Sequence, residues 1–263
     1  MNFLRIAQFI SHWIGANSRH GTHSPFVYQL IESCIYLRNP KPSKQICRHF
    51  LDLRHSNQIV NGVDHGNSNS CEKKLSIADL ANRSAARDFE SELLMRLVSY
   101  HGSENVLELG ANLGKSTVFM AHVNLKARVT AVEGNKGLAD FCEDGIQSLG
   151  CTNVDVVNST FDAFFQTNQN RFDLIFIDGD HREEPTLKNY QAAKQTIRGE
   201  GPIVLHDIYW SKGMTSAWGK IKADDDATVT IDLFFFGLVY FRANQRKEHF
   251  QIRFPANLLR LFF

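Results

Sequence analysis

Short apolar runs rich in Val, Ile and Leu alternate with helix-like segments from about residue 76 onward. Apolar strands separated by helices predict a parallel sheet that is covered on both of its faces. The last two apolar runs, 228–233 and 238–242, have no helix between them, so we expect them to pair antiparallel. The other predicted strands are 106–109, 129–132, 154–157, 174–177 and 203–205, with helices near 116–123, 136–149, 161–165, 186–197 and 214–222.

The first 75 residues have a different pattern. Apolar residues recur at helical spacing near the start, which predicts a short amphipathic helix. These positions are Phe3, Ile6, Ile10 and Trp13. Residues 54–70 are polar and rich in Gly, Asn and Ser, which predicts a mobile loop. We therefore expect a helical extension or lid, including this loop, over residues 1–75, and a second domain over residues 76–263.

The composition is that of a globular protein, with 43% hydrophobic and 22% charged residues among 263. The formal net charge is +1 and acidic residues outnumber basic ones after residue 75, so no nucleic-acid partner is expected. Five cysteines without a CxxC pair favour neither disulfides nor a zinc ribbon. Because no apolar run is long enough for a membrane helix and the start is a poor signal peptide, we expect a cytoplasmic protein.

The loop after the first predicted strand carries candidate chemistry, running Glu-Leu-Gly-Ala-Asn-Leu-Gly-Lys-Ser from Glu108 to Ser116. Its glycines allow close backbone approach to a ligand at a helix N-terminus. A Walker A loop has four residues between Gly and Gly-Lys-Ser where this loop has three, and the dinucleotide GxGxxG pattern fails at two glycines. An acidic residue two before the first glycine, facing a cationic amino group, fits S-adenosylmethionine (SAM). Lys115 is expected to face solvent.

Polar residues also follow the other four predicted strands. They are Glu133 and Gly134, then Ser159 and Thr160, then Asp178, Gly179, Asp180 and His181, and finally His206 and Asp207. Ligands of open parallel sheets bind outside the carboxyl ends of the strands, so the three carboxylates and two histidines of the last two groups are expected at one rim. The alternatives are helix capping by Asp178, Asp180 and His181, and a core position for His206.

Four motifs in order resemble class I SAM-dependent methyltransferases. They are VLELGANLGKSTVFMA, AVEG, FDLIFIDGDH and GPIVLHD. The glycine loop is similar to that of the catechol and caffeoyl-CoA O-methyltransferase branch, and the resemblance covers about residues 76–242. It implies an α/β, Rossmann-like class I methyltransferase fold: a seven-stranded, mostly parallel sheet with an antiparallel last strand, plus an N-terminal helical extension.

The resemblance also implies roles for single residues. The implied SAM-binding residues are Glu108, Gly110, Ala111, Asn112, Gly114, Ser116, Glu133, Gly134, Ser159, Thr160, Asp178, Gly179 and Asp180. Asp178 and Asp207 fall where the branch places two ligands of a divalent cation, which makes Mg²⁺ a candidate second cofactor. Two positions depart from the pattern: Ile208 replaces an Asn ligand of the metal, and His181 replaces a catalytic Lys.

The favoured function is therefore O-methylation of a small-molecule hydroxyl, with His181 or His206 as general base and Asp207 orienting the base or binding metal. N- or C-methylation without metal and a non-catalytic SAM-fold scaffold remain alternatives, while a nucleotide-dependent oxidoreductase or NTPase is disfavoured by the loop spacing. His12, His20 and His23 lack metal-ligand spacing and are expected in a solvated turn. An apolar C-terminal tail suggests a homodimer contact or a membrane surface contact. Its residues are Leu258, Leu259, Leu261, Phe262 and Phe263.

Overall fold

The computed structural model describes residues 3–63, 72–83 and 86–255. The predicted tail beyond residue 255 and Cys71 lie outside these residues. Two compact units are present, one formed by residues 1–37 with 173–263 and the other by residues 38–172. The division at residue 75 stays a prediction. No helix within the described ranges is both long and apolar enough to cross a bilayer.

The elements follow the predicted alternation. The helices are α1 (Phe3–Gly15), α2 (Pro25–Leu30), α3 (Lys44–Leu53), α4 (Ile77–Arg83), α5 (Asp88–His101), α6 (Lys115–Val123), α7 (Lys136–Ser148), α8 (Phe161–Thr167), α9 (Glu183–Thr196) and α10 (Lys212–Ala223). The strands are β1 (Ile59–Val63), β2 (Glu72–Ser76), β3 (Asn105–Leu109), β4 (Arg128–Glu133), β5 (Val154–Asn158), β6 (Leu174–Ile177), β7 (Ile203–His206), β8 (Val229–Asp232), β9 (Phe236–Tyr240) and β10 (Glu248–Gln251). A 3-10 turn at Arg19–Gly21 and a π-helical turn at Ile31–Ile35 complete the N-terminal segment.

The first unit contributes five strands in the order β10-β8-β9-β7-β6. Strands β6 and β7 are parallel, and β9 runs antiparallel to both β7 and β8, as the missing helix between the last two predicted runs indicated. Strand β10 then pairs parallel with β8. Residues 248–251 thus add an edge strand that was not among the seven predicted. The α/β, mostly parallel class is confirmed.

The second unit contains the parallel strands β3, β4 and β5 and the antiparallel pair β1–β2. Helix α3 belongs to its core, since Ile46, Phe50 and Leu53 cluster with apolar residues of α6 and α7. The segment predicted as a mobile loop differs at residues 59–63, which form β1. Pairing with β2 satisfies the backbone of this segment, and Val60 packs against the same core.

Helix α1 is fixed to the first unit by a buried contact between an imidazole and a carboxylate. His12 Nε2 lies 2.9 Å from a carboxylate oxygen of Asp232, the last residue of β8, and both side chains are less than one-tenth exposed. The expectation of a solvated turn at His12 is therefore wrong. The helix was correctly predicted, but its periodicity carried no information about a partner more than two hundred residues away.

The Asp232 carboxylate has three further donors. It accepts hydrogen bonds from the Tyr209 hydroxyl at 2.6 Å, the Trp218 indole at 3.0 Å and the Phe234 amide at 2.9 Å. Burial alone would raise the pKa of Asp232, but the hydrogen bonds and charge of His12, with the other donors, outweigh burial and hold that pKa below its ordinary value. Burial and the same carboxylate raise the pKa of Tyr209, so its hydroxyl stays protonated.

The C-terminal strand also holds the end of α1. Asn17 forms a parallel bridge with Ile252, and the Gln251 side chain donates to the His12 carbonyl at 3.0 Å. Arg253 donates to the Trp13 carbonyl at 2.8 Å, and its guanidinium lies 4.7 Å from the centre of the Trp13 ring. The beginning and the end of the described chain are thus joined through α1.

A tight packing constraint shapes the turn between β3 and α6. Gly114 precedes α6 with a φ of +77°, in the left-handed region that favours glycine. A Cβ at this position would lie 2.7 Å from the Cys142 sulfur on α7. The start of α6 therefore approaches α7 as closely as a residue without a side chain allows.

Gly114→Ala should lower the free energy of unfolding by about 2–3 kcal/mol, because about 1–2 kcal/mol of left-handed strain adds to the overlap with Cys142. Gly102→Ala is the matched control. Gly102 also has a positive φ, of 58°, but an added Cβ there meets nothing within 4 Å, so only the strain should be lost. Urea denaturation measures the free energy of unfolding of both variants. Equal losses in Gly114→Ala and Gly102→Ala would show that Cys142 moves aside.

Asp232→Asn should lower the free energy of unfolding at neutral pH by about 3 kcal/mol, since buried His12 loses its charged partner. Because the folded state depresses the pKa of Asp232, its contribution is present above the unfolded pKa of about 4 and is lost as the pH falls through the folded value. Urea titrations at decreasing pH should show a flatter profile for the variant than for the wild type.

The exposed pair of Asp52 and Arg48 on α3 provides the control. Asp52→Asn should change the free energy of unfolding by less than about 0.5 kcal/mol. Parallel pH profiles for the wild type and Asp232→Asn would contradict the role given to the buried carboxylate.

Candidate active site

The loop between β3 and α6 winds through three left-handed positions. Gly110, Asn112 and Gly114 have φ values of 101°, 49° and 77°. The turn leaves Ala111 buried, while Gly110 and Asn112 remain partly exposed. It brings backbone amides to the carboxyl end of β3, which is a geometry suited to close ligand approach.

Glu108 lies beneath this loop with no exposed surface. Its two carboxylate oxygens accept hydrogen bonds from the hydroxyls of Ser116 and Thr117 in the first turn of α6. A buried carboxylate needs such partners, and here they tie the end of β3 to the start of the following helix. The neighbouring Lys115 is also buried and pairs with Asp88 at 2.6 Å, so the expectation that it faces solvent is wrong.

Glu133, at the end of β4, connects two loops. One carboxylate oxygen accepts from the Asn112 amide at 2.9 Å and the other from the Asn135 amide at 2.9 Å. Gly134 lies in the turn between Glu133 and Asn135. Because each carboxylate oxygen can accept a second hydrogen bond and the side chain is partly exposed, Glu133 retains capacity for a hydroxyl donor.

The polar residues after β5 use their hydroxyl groups in hydrogen bonds within their own turn. The Thr160 hydroxyl caps α8 by accepting from the Ala163 amide, and the Ser159 hydroxyl donates to the Thr160 carbonyl. Asn158 precedes them and, like them, is a polar residue that the sequence places at this strand end; its side chain donates to the Glu133 carbonyl at 2.8 Å. It lies at the end of β5, beside Glu133 in the strand register.

In the first unit, the ends of β6 and β7 bring together an acid–histidine cluster of Asp178, His181 and His206. His206 Nδ1 lies 2.7 Å from Asp178 Oδ1, and His181 Nε2 lies 3.5 Å from the same oxygen. The His206 side chain is 12% exposed and its ring contacts the Phe176 and Phe236 rings edge-on. His181 is 29% exposed, so it is the more accessible of the two imidazoles.

Asp180 takes no part in this cluster. It occupies a left-handed turn after Gly179, with a φ of 52°, and its carboxylate accepts two hydrogen bonds from the Arg182 guanidinium. Neither Asp178, Asp180 nor His181 caps α9, whose N-cap residue is Arg182. The capping alternative therefore does not describe these three side chains.

Asp207 is also in a left-handed conformation, with a φ of 51°. Its partner is Arg5, which was not among the predicted site residues. Arg5 on α1 donates to Asp207 Oδ1 at 2.6 Å. Both side chains are about one-seventh exposed, at 15% and 13%. The signal that could have found Arg5 is its place as the one Lys or Arg in the α1 sequence FLRIAQFISHWIG.

The donor atoms of the cluster do not fit Mg²⁺. Asp178, His181 and His206 each offer one atom within 4.8 Å of the others, which gives two nitrogens and one oxygen. Mg²⁺ prefers oxygen ligands in an octahedral arrangement. Asp207 is bound by Arg5, and Ile208 is buried and has no donor atom. The residues at these strand ends therefore do not fit the Mg²⁺ site that the resemblance implies.

Comparisons with known proteins agree with this architecture. Residues 107–208 match a family model described as a methyltransferase domain. Comparison with curated protein sequences finds no match. Among solved structures, the methyltransferase PaMTH1 of Podospora anserina, with S-adenosylhomocysteine (SAH) bound, is 10% identical with a TM-score of 0.62, covering 84% of this chain and 97% of that one.

Two O-methyltransferases are similar in fold as well. The enzyme from Bacillus cereus in complex with SAH is 17% identical, with a TM-score of 0.57, and 76% of this chain and 92% of that one are covered. TomG from Streptomyces achromogenes in complex with SAM is 14% identical, with a TM-score of 0.53, and 60% and 82% are covered. The predicted class I fold is confirmed, residues 107–208 match a methyltransferase domain, and the chain is similar in fold to enzymes of the O-methyltransferase branch.

Proposed function

We propose that the protein transfers a methyl group from SAM to a hydroxyl of a small molecule, with His181 as the general base. The observation that carries this proposal is the pairing of Asp178 with two imidazoles, of which His181 is the exposed one. A neutral imidazole near pH 7 suits removal of a hydroxyl proton. Asp178 would stabilise the imidazolium that results, while the less accessible His206 holds Asp178 in place.

The residues of the glycine loop fit the proposed cofactor. The left-handed turns at Gly110 and Gly114 permit close backbone approach, and Glu133 has acceptor capacity for ribose hydroxyls. SAM supplies an activated methyl group on a sulfonium. His181 would take the proton of the acceptor hydroxyl as the methyl group moves from the sulfonium to the acceptor oxygen, with the carbon–sulfur bond broken and SAH left.

The remaining roles belong to the same proposal. Gly134, Ser159, Thr160, Gly179 and Asp180 are proposed to lie near the cofactor, and the N-terminal segment is proposed to act as a lid over a small-molecule acceptor. A homodimer and a cytoplasmic location stay predictions. The geometry of His181 favours oxygen acceptors, because a neutral base is needed to remove a hydroxyl proton.

Cofactor binding should be tested first, by calorimetric titration with SAH and with NAD and ATP as comparison ligands. SAH alone should bind, and Glu133→Gln should weaken binding by about ten-fold or more, since one charged hydrogen bond to a ligand contributes about 1.5–3 kcal/mol. Glu143→Gln, the same substitution at an exposed position of α7, should bind like the wild type. A folded protein that binds no SAH would make the scaffold alternative the better one.

His181→Gln should lower the rate of SAH formation with a panel of phenols and alcohols by about 10²-fold or more, with SAH affinity unchanged. His20→Gln alters an exposed histidine and serves as the control. Retention of the wild-type rate by His181→Gln would remove this residue from the base position.

A further inference from the structure

We propose that Arg5 is a positioning residue of this site. Its guanidinium holds Asp207, so that His206 stays paired with Asp178. The fixed positive charge of Arg5 also makes methyl transfer independent of a divalent cation. This inference rests on the proposed function, because it concerns the same site. It extends that function to a residue of the N-terminal segment, which lies outside the sequence resemblance.

Two carboxylates compete for one imidazole at the ends of β6 and β7. His206 Nδ1 lies 2.7 Å from Asp178 Oδ1 and 4.0 Å from Asp207 Oδ2. Like charges this close to each other are unfavourable unless a positive group compensates one of them. A proton on His206 can be shared with either acid, so the one that accepts it depends on what else holds each carboxylate.

Arg5 provides that compensation at Asp207. The Nη2–Oδ1 distance is 2.6 Å, and the pair is mostly shielded from solvent, where a charge-assisted hydrogen bond is strong. The guanidinium also lies 5.0 Å from the centre of the Trp210 ring, a distance for cation–π attraction. With Asp207 held by Arg5, Asp178 is left as the nearer acceptor for His206.

The position of Arg5 is determined by the rest of α1. Arg5, Gln8 and His12 are three and four residues apart, so they lie on one face of the helix. Gln8 donates to the Thr215 hydroxyl at 3.4 Å, and His12 pairs with Asp232 at 2.9 Å. The guanidinium therefore reaches Asp207 from a helix that Gln8 and His12 anchor one and two turns after Arg5.

The same contacts explain why the site needs no added cation. Arg5 balances the charge of Asp207, and a proton accepted at His181 is balanced by Asp178. Both carboxylates then have a positive partner from the protein itself when the base is protonated. A divalent ion bound by both carboxylates, Asp178 and Asp207, would have to displace Arg5 from Asp207.

The experiment compares Arg5→Gln and Arg5→Lys by two readouts. The ¹⁵N signals of the His206 and His181 rings in the full-length protein report tautomer and hydrogen bonding without any turnover. Arg5→Gln should shift the His206 signals, and Arg5→Lys should shift them less, because an ammonium keeps the charge but not the planar fork. In turnover assays kcat should fall by about 10²-fold for Arg5→Gln, with KM for SAM within two-fold, as expected of a misplaced base.

Arg19→Gln is the control, since Arg19 forms an exposed pair with Glu32 in the same N-terminal segment, and both readouts should match the wild type. Thermal denaturation checks folding, and Arg5→Lys carries the test if Arg5→Gln unfolds. Two results would overturn the proposal. One is that the ring signals are unchanged in the Arg5 variants. The other is that EDTA abolishes the activity of the wild type and Mg²⁺, Mn²⁺ or Zn²⁺ restores it. If the wild type transfers no methyl group at all, the proposed function fails, whereas the ring signals still decide the role of Arg5.

Discussion

The buried carboxylate of Asp232 accepts hydrogen bonds from a helix, a loop, a second helix and a turn at once. The donors are His12 of α1, Tyr209 after β7, Trp218 of α10 and the Phe234 amide between β8 and β9. A charge removed from water is tolerated only when its lone pairs are satisfied with good geometry. All four segments must therefore be in place together, and the position of α1, including Arg5, follows from that requirement.

The turn between β8 and β9 shows how demanding this arrangement is. Phe234 adopts a φ of 76°, which is uncommon for a bulky residue. Its amide is held by Asp232, and its ring stacks on Tyr209 with centres 5.2 Å apart and contacts Phe9 edge-on at 5.0 Å. The three consecutive phenylalanines are buried in the core of the first unit, so an apolar run that interrupts the hairpin pattern also anchors α1.

Local patterns were sufficient to predict most of the fold. The seven predicted strands, the helices between them and the antiparallel β8–β9 pair depend on periodicity and on neighbours close in sequence, and each is present. Strand β10 was not predicted because its sequence, EHFQ, is short and polar at its start, and its pairing with β8 is decided by tertiary contact. The hydrogen-bonded loop around Gly110 and Glu133 was likewise indicated by local glycine and acid spacing.

The acid–histidine cluster could be predicted only as a set of residues at strand ends, and its internal pairing could not. The carboxylate that pairs with His206 is decided by Arg5, a residue 202 positions from Asp207 in the chain. Similarly, His12 stood among histidines with no recognisable spacing, and its partner lies 220 positions away. Periodicity describes one face of α1 but carries no information about which distant side chain that face meets.

The junction of α1 with the strand that ends the described chain has a consequence for biosynthesis. Helix α1 leaves the ribosome well before Asp232, Gln251 and Arg253, which hold it and are made more than 200 residues later. At 5–20 residues per second this delay is roughly 10–50 s. During that interval α1 lacks the native contacts that Asp232, Gln251 and Arg253 supply. The enzyme gains Arg5 at its site only after translation has passed β10.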